Sequence, residues 1–331
     1  LYLKFIHENK DGLGENWSNL EIMISQLADA IMYFKENNDL LFEVVSTGRI
    51  WSLEGSLLQE KNYRSKLYIA DTFLSLFYEK GWSSLEREVA LDKLNNEFIR
   101  QLDLLIELLE IYLSYLDYLD FEVRGIETSS TALDAISHLS NSSVLNFIYT
   151  NTSGHLYGTS EEKTHFIHGR IDLDRTFNRI NTMVFGIEDK ENDVNSDLVP
   201  YQKYYQRVVK ETGIKFEMFF LSSYFVEYLH VQGTEKSFPH DRKAAKNIII
   251  FGHSVDPLDK EIFQKSFALA EEGGYPYRFI FTYFDESAKR SIIKNLAIIL
   301  GKEKLIELTG TQNVVFVKSD DKIGMEKVLL R

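Results

Sequence analysis

From residue 143 onward, short runs of β-branched and aromatic residues alternate with helical stretches, and no other feature of the sequence narrows the fold as far. The candidate strands are Ser143 to Tyr149, His165 to His168, Thr182 to Ile187, Lys246 to Phe251, Tyr277 to Phe284 and Asn313 to Val317. Helices are expected at Thr131 to Leu139, Tyr201 to Glu211, Leu258 to Glu271 and Glu286 to Leu300. Strand, helical crossover and strand in succession describe a parallel sheet, so the expectation is an α/β fold with a Rossmann-like core over residues 129–331. The acidic stretch from Glu188 to Asp197 reads as an exposed loop.

The first third has a different period. Ser18 and Glu21 have capping-box spacing, and Leu20, Ile24, Leu27, Ile31 and Phe34 recur at helical intervals. A second helix is expected from Leu67 to Glu79. A third, longer one runs from Ser84 towards Asp120, with Leu85, Val89, Leu94, Phe98, Leu102, Leu105, Leu109 and Tyr112 as its apolar stripe and Gly125 as its break. Residues 1–128 are therefore expected to be a large helical region packed with the core as one compact unit. The long helix carries more leucine and aromatic surface than one sheet face covers, which predicts self-association or partner binding.

Composition excludes several classes. A formal net charge of −13, with no Lys/Arg-rich stripe against it, argues against nucleic acid. The chain has no cysteine, so disulfides, thiolate metal ligands and a cysteine nucleophile are ruled out. The most membrane-like stretch, Leu104 to Leu119, is broken by Glu107, Glu110 and Asp117, where a spanning helix needs about 20 mainly apolar residues. Because the chain opens at Leu1, without methionine, its native N-terminus is expected to be missing.

Segments able to carry chemistry sit where candidate strands end, which is where open α/β sheets bind ligands. In Phe251-Gly252-His253-Ser254, Gly252 permits close backbone approach, Ser254 offers a hydroxyl and Asp256 is placed to cap the next helix, an arrangement suited to ribose or phosphate. A plain turn with helix-start carboxylates at Asp256 and Asp259 accounts for the same residues. His168, before Gly169, has the chemistry of a general base, and a structural histidine is the competing reading. Tyr149, Thr150, Asn151 and Thr152 offer hydroxyls and an amide, and Gly186 with Glu188 and Asp189 could meet ribose hydroxyls or form a solvated loop. No metal is expected, because His165 and His168 lie three apart on a candidate strand and point to opposite faces. Convergence of His168, Tyr149 to Asn151 and Gly252 to Ser254 in one cleft is the geometric expectation.

In order, the segments "VLNFIYTNT", "FIHGRI", "MVFGIED" and "IIIFGHSVDPLDKEI", with "WSNLE" before them, resemble those of the AbiH bacteriophage abortive-infection proteins, from about Trp17 to Phe284. That family is remotely similar to the sirtuin-like NAD-binding proteins. His168-Gly169 matches the sirtuin His-Gly element, and Gly252 with Ser254 matches the Gly-Ser element. The resemblance implies a bacterial cytoplasmic defence effector, set off by a phage component, that binds NAD or an ADP-ribose-like nucleotide and cleaves the nicotinamide glycosidic bond. His168 and Asn151 would be catalytic. Tyr149, Thr150, Gly169, Gly186, Asp189, Gly252, His253, Ser254 and Asp256 would bind the nucleotide. Two departures stand out: the family's opening Gly-Asn-Gly-Phe-Asp motif is missing, and Ile148 stands where an asparagine is expected. The alternatives are a non-catalytic NAD or ADP-ribose sensor and a protein that recognises a phage component.

Overall fold

A computed structural model describes residues 1–10, 17–187, 197–212, 246–272 and 277–330. In chain order its helices begin with α1 (Tyr2–Glu8), α2 (Trp17–Glu36), α3 (Asn38–Thr47), α4 (Trp51–Leu57), α5 (Tyr63–Glu79) and α6 (Arg87–Tyr118). Strand β1 (Val144–Asn146), α7 (Thr152–Tyr157), β2 (Thr164–Phe166) and α8 (Lys203–Val209) follow. The chain then runs through β3 (Lys246–Ile250), α9 (Lys260–Glu272), β4 (Tyr277–Tyr283), α10 (Glu286–Leu300), α11 (Lys302–Gly310), β5 (Val314–Lys318) and α12 (Lys322–Leu329). The fold is a helix-rich mixed α/β one, divided into two compact units: Leu1–Tyr115 with Ile171–Glu211, and Leu116–Arg170 with Thr212–Arg331.

In the helical unit, apolar periodicity becomes burial. Ile24, Leu27, Ile31 and Phe34 of α2 are buried, as are Ile69, Phe73 and Phe77 of α5 and Leu94, Phe98, Leu102, Leu105 and Leu109 of α6. Edge-on aromatic pairs, Tyr2 with Phe98 and Phe42 with Phe73, fill the space between helices. Several expectations need correction. The helix begins at Trp17, so Ser18 lies inside its first turn rather than before it. Val89 and Tyr112, assigned to the buried stripe of α6, are 41% and 52% exposed. Thr131 to Leu139 is not a helix but a single 3-10 turn, Ala132–Ala135, closed by a Thr131/Asp134 capping box and followed by extended backbone at Ile136.

Among the described residues Thr182 to Ile187 joins no sheet, and an isolated bridge links Ile187 to Gln202. Side chains take over the work of a neighbouring strand, because buried backbone polar groups must be paired. The Gln206 amide accepts from Phe185 N at 2.9 Å and donates to Phe185 O at 3.0 Å. Asn181 Oδ1 accepts from Met183 N, and Lys210 donates to the Met183 carbonyl.

The second unit carries the parallel sheets. β1 pairs with β2, aligning Leu145 with His165, and β3, β4 and β5 form a separate sheet in that order, with Ile250 beside Phe281 and Phe281 beside Phe316. The two-residue period of a strand explains its layers. Phe279, Phe281 and Val314 cluster with Phe263 and Phe267 of α9, Leu296 of α10 and Leu305 of α11. The alternate residues Ile280 and Val317 face Met325 of α12 and Ala132. The three-stranded sheet is thus covered on both faces, as parallel sheets are.

Candidate functional site

Within this second unit, the chain leaves the carboxyl ends of β1, β2 and β3 with Phe147, His168 and His253 respectively. Asp259 ties the last two together. Nε2 of His168 lies 3.1 Å from Asp259 Oδ1, and Nε2 of His253 lies 3.5 Å from Asp259 Oδ2. The Phe147 ring meets His253 at 4.4 Å and His168 edge-on at 6.0 Å, and stacks on Phe263 at 5.6 Å. Both His168 and Asp259 are buried. One carboxylate therefore faces two imidazoles against an aromatic wall.

Local backbone geometry places these groups. The loop after β3 turns at Gly252, whose φ of 69° is left-handed, and a Cβ there would meet open space. Val255 then adopts φ 57°, a costly conformation for a β-branched residue, and its side chain is fully buried. Its N–H donates to His253 Nδ1 at 2.8 Å, so the neutral ring carries its proton on Nε2, towards Asp259. The turn closes with Asp259 N donating to the Asp256 carbonyl at 3.0 Å, which sets Asp259 at the entry to α9. His168 turns its Nε2 towards the other oxygen of the same carboxylate, at 3.1 Å.

The structure thus brings His168 and His253 together, with Gly169, Gly252, Ser254 and Asp256 in the same two loops. Ser254 is exposed, and its carbonyl accepts from Asn295 at 3.2 Å. Tyr149, Thr150 and Asn151 follow β1 but belong to a turn of their own. Asn146 donates to the Thr150 carbonyl and accepts from Ile148 N, and the Thr150 and Thr152 hydroxyls share a bond at 2.9 Å. Asn151, expected to be catalytic, caps α7 by accepting from Gly154 N and donates to Glu161, so both of its polar atoms are engaged locally. Gly186 lies buried in the helical unit, where a Cβ would run into the Tyr201 carbonyl. Asp189 and Glu188 lie outside the described residues.

Sequence reasoning missed Asp259 as a functional partner, treating it as a helix-start carboxylate, and missed Phe147 altogether. The signal for Asp259 lay in its spacing: it follows His253 by six residues across Pro257, close enough for one tight turn to fold it back. His168 itself is buried against Phe147.

Among the described residues, no group of three or more His, Asp or Glu side chains could hold a metal ion, and no helix is long and apolar enough to cross a membrane. The fold and site define a mixed α/β protein with a histidine–aspartate cluster at the carboxyl ends of parallel strands. Residues 1–274 match the family model described as bacteriophage abortive infection AbiH, and the chain belongs to that family. No curated protein and no solved structure matches it. Family membership assigns a role in bacteriophage abortive infection.

Proposed function

We propose that this protein is an NAD-consuming effector of abortive infection in the bacterial cytoplasm, with a Rossmann-like, sirtuin-like α/β unit that hydrolyses the nicotinamide glycosidic bond. The observation that carries the reading is the single carboxylate, Asp259, facing the Nε2 atoms of both His168 and His253 at the ends of parallel strands.

In this reaction a water oxygen attacks C1′ of the nicotinamide ribose. The carbon–nitrogen bond breaks, and its electron pair returns to the pyridinium ring, which leaves as neutral nicotinamide. His168 accepts the water proton, and Asp259, beside its Nε2, stabilises the imidazolium that forms. The same carboxylate lies near enough to favour the cationic, oxocarbenium-like sugar of the transition state. Gly252, with open space where a side chain would stand, lets the backbone approach the ribose or its phosphate. His253, fixed by Val255 N, and the Phe147 ring stand beside this carboxylate.

A second reading has its own observations. Ile148 is half-exposed where the family resemblance places an asparagine, and Asn151 is committed to its cap, which favours NAD or ADP-ribose binding without turnover. Incubation of the intact protein with NAD, followed by assay for nicotinamide, separates the two. Release of nicotinamide that His168→Gln abolishes supports hydrolysis. Calorimetric binding of ADP-ribose with no nicotinamide release supports the sensor, and neither binding nor release rejects both.

A further inference from the structure

The 32-residue helix α6 changes character along its length. Its inner face is mainly apolar, with Asn95 and Glu110 buried among the leucines. In the amino-terminal half the outer face is polar, with Asp92, Lys93, Asn96 and Arg100 exposed. In the carboxyl-terminal half it is not. Leu104 is 50% exposed, Leu108 44%, Ile111 55%, Tyr112 52%, Tyr115 57% and Tyr118 57%. A helix that carries large apolar side chains on both faces is ordinarily covered on both.

The spacing of these residues is more specific than their hydrophobicity. Leu104, Leu108, Ile111, Tyr115 and Tyr118 follow one another at intervals of four, three, four and three, the seam of a two-helix coiled coil. Buried Leu102, Leu105 and Leu109 satisfy the inner packing, so the outer seam serves something else. We propose that this seam is a homodimer interface, in which α6 of one protomer packs against α6 of its partner about a two-fold axis at Ile111.

Area argues for a second copy, and the order of side-chain sizes along the seam for an antiparallel one. A tyrosine has about 150–250 Å² to bury, so six half-exposed large residues offer on the order of 100 Å² each, or roughly 1,200 Å² over both protomers. That reaches the lower end of the range for stable interfaces, about 1,200–2,000 Å², before any flanking contact is added. An antiparallel pair centred on Ile111 sets Leu104 against Tyr118, matching the leucine end of each seam with the tyrosine end of the other.

The absence of cysteine makes the test direct. The intact chain should sediment as a dimer, and Ile111→Glu should convert it to a monomer with unchanged helical circular dichroism, because the side chain is exposed in the protomer. Ile111→Cys should cross-link to itself under oxidation, whereas Leu104→Cys should cross-link only when mixed with Tyr118→Cys. Self-cross-linking of Leu104→Cys would overturn the antiparallel pairing. A wild-type chain that stays monomeric to about 100 µM, above the micromolar range in which interfaces of this size associate, would overturn the interface itself. So would a dimer that Ile111→Glu leaves intact.

Discussion

In the helical unit the buried carboxylate of Glu110 accepts from Asp172 N at 2.9 Å, from the Arg175 guanidinium at 2.7 and 2.9 Å and from Asn181 at 3.0 Å. In the α/β unit the buried carboxylate of Asp259 faces two imidazoles. Both are acids removed from water, and both have partners, as burial demands. The partners differ in kind. Backbone N–H, amide and guanidinium do not exchange protons near neutral pH, whereas imidazole is the side chain suited to doing so. Both have a left-handed non-glycine residue nearby, Val255 with φ 57° before Asp259 and Arg175 with φ 52° on Glu110, and around Glu110 the nearby Asp172 also ties down Thr176, Phe177 and Asn178 through their N–H groups. One carboxylate is a structural clamp, and the other orients groups that can react.

The sharpest way to break this contrast is to exchange the expected consequences. His168→Gln should lower NAD cleavage by about 10² to 10⁴-fold, the contribution of a general base, with thermal unfolding close to wild type. Glutamine is preferred over alanine because His168 is buried and alanine would leave a hole beside Phe147. A His168→Gln protein that unfolds early would move His168 into the structural class. Glu110→Ala should do the reverse, costing about 3–5 kcal/mol by stranding Arg175 and Asn181, with turnover per folded molecule unchanged. Urea unfolding measures the first quantity and active-site titration the second.

A smaller effect belongs to the helical unit alone. Burial raises the pKa of the Tyr2 and Tyr201 hydroxyls well above 10 in the folded protein, and Tyr201 also donates to Asn95 Oδ1 at 2.8 Å. Above pH 10 the unfolded chain loses protons that the folded chain keeps. The stability these tyrosines contribute is present below pH 10 and falls by about 1.4 kcal/mol per pH unit for each of them above it. Unfolding measured between pH 9 and 11 checks this, and Tyr201→Phe should reduce the slope. Stability that rises over that range would contradict it. Smallest of all, Asn151→Ala should cost about 1 kcal/mol through loss of the α7 cap. If turnover collapses while stability holds, Asn151 belongs with His168 after all.

Much of the helical unit was legible in the sequence, because a helix is a local structure and its buried face recurs at a fixed interval. The stripes of α2, α5 and the inner face of α6 were readable for that reason. The strands β3, β4 and β5 were also readable, since each is rich in β-branched and aromatic residues. The segment Thr182 to Ile187 has the same composition and failed, because what a β-rich segment pairs with lies elsewhere in the chain. Here the Gln206 side chain and Tyr201 backbone take the partner's place.

The site divides along the same line. The sequence determined that His168 lies at the end of a strand and His253 just past one, since strand ends are marked by local residues such as Gly169 and Gly252. Only the tertiary structure decided that the two imidazoles share Asp259, that Asn151 spends its amide on a cap and that Gly186 sits against a carbonyl in the other unit. Periodicity records which face of an element is buried. It carries no record of which distant element covers that face, and a shared carboxylate is an agreement between segments that meet only after folding.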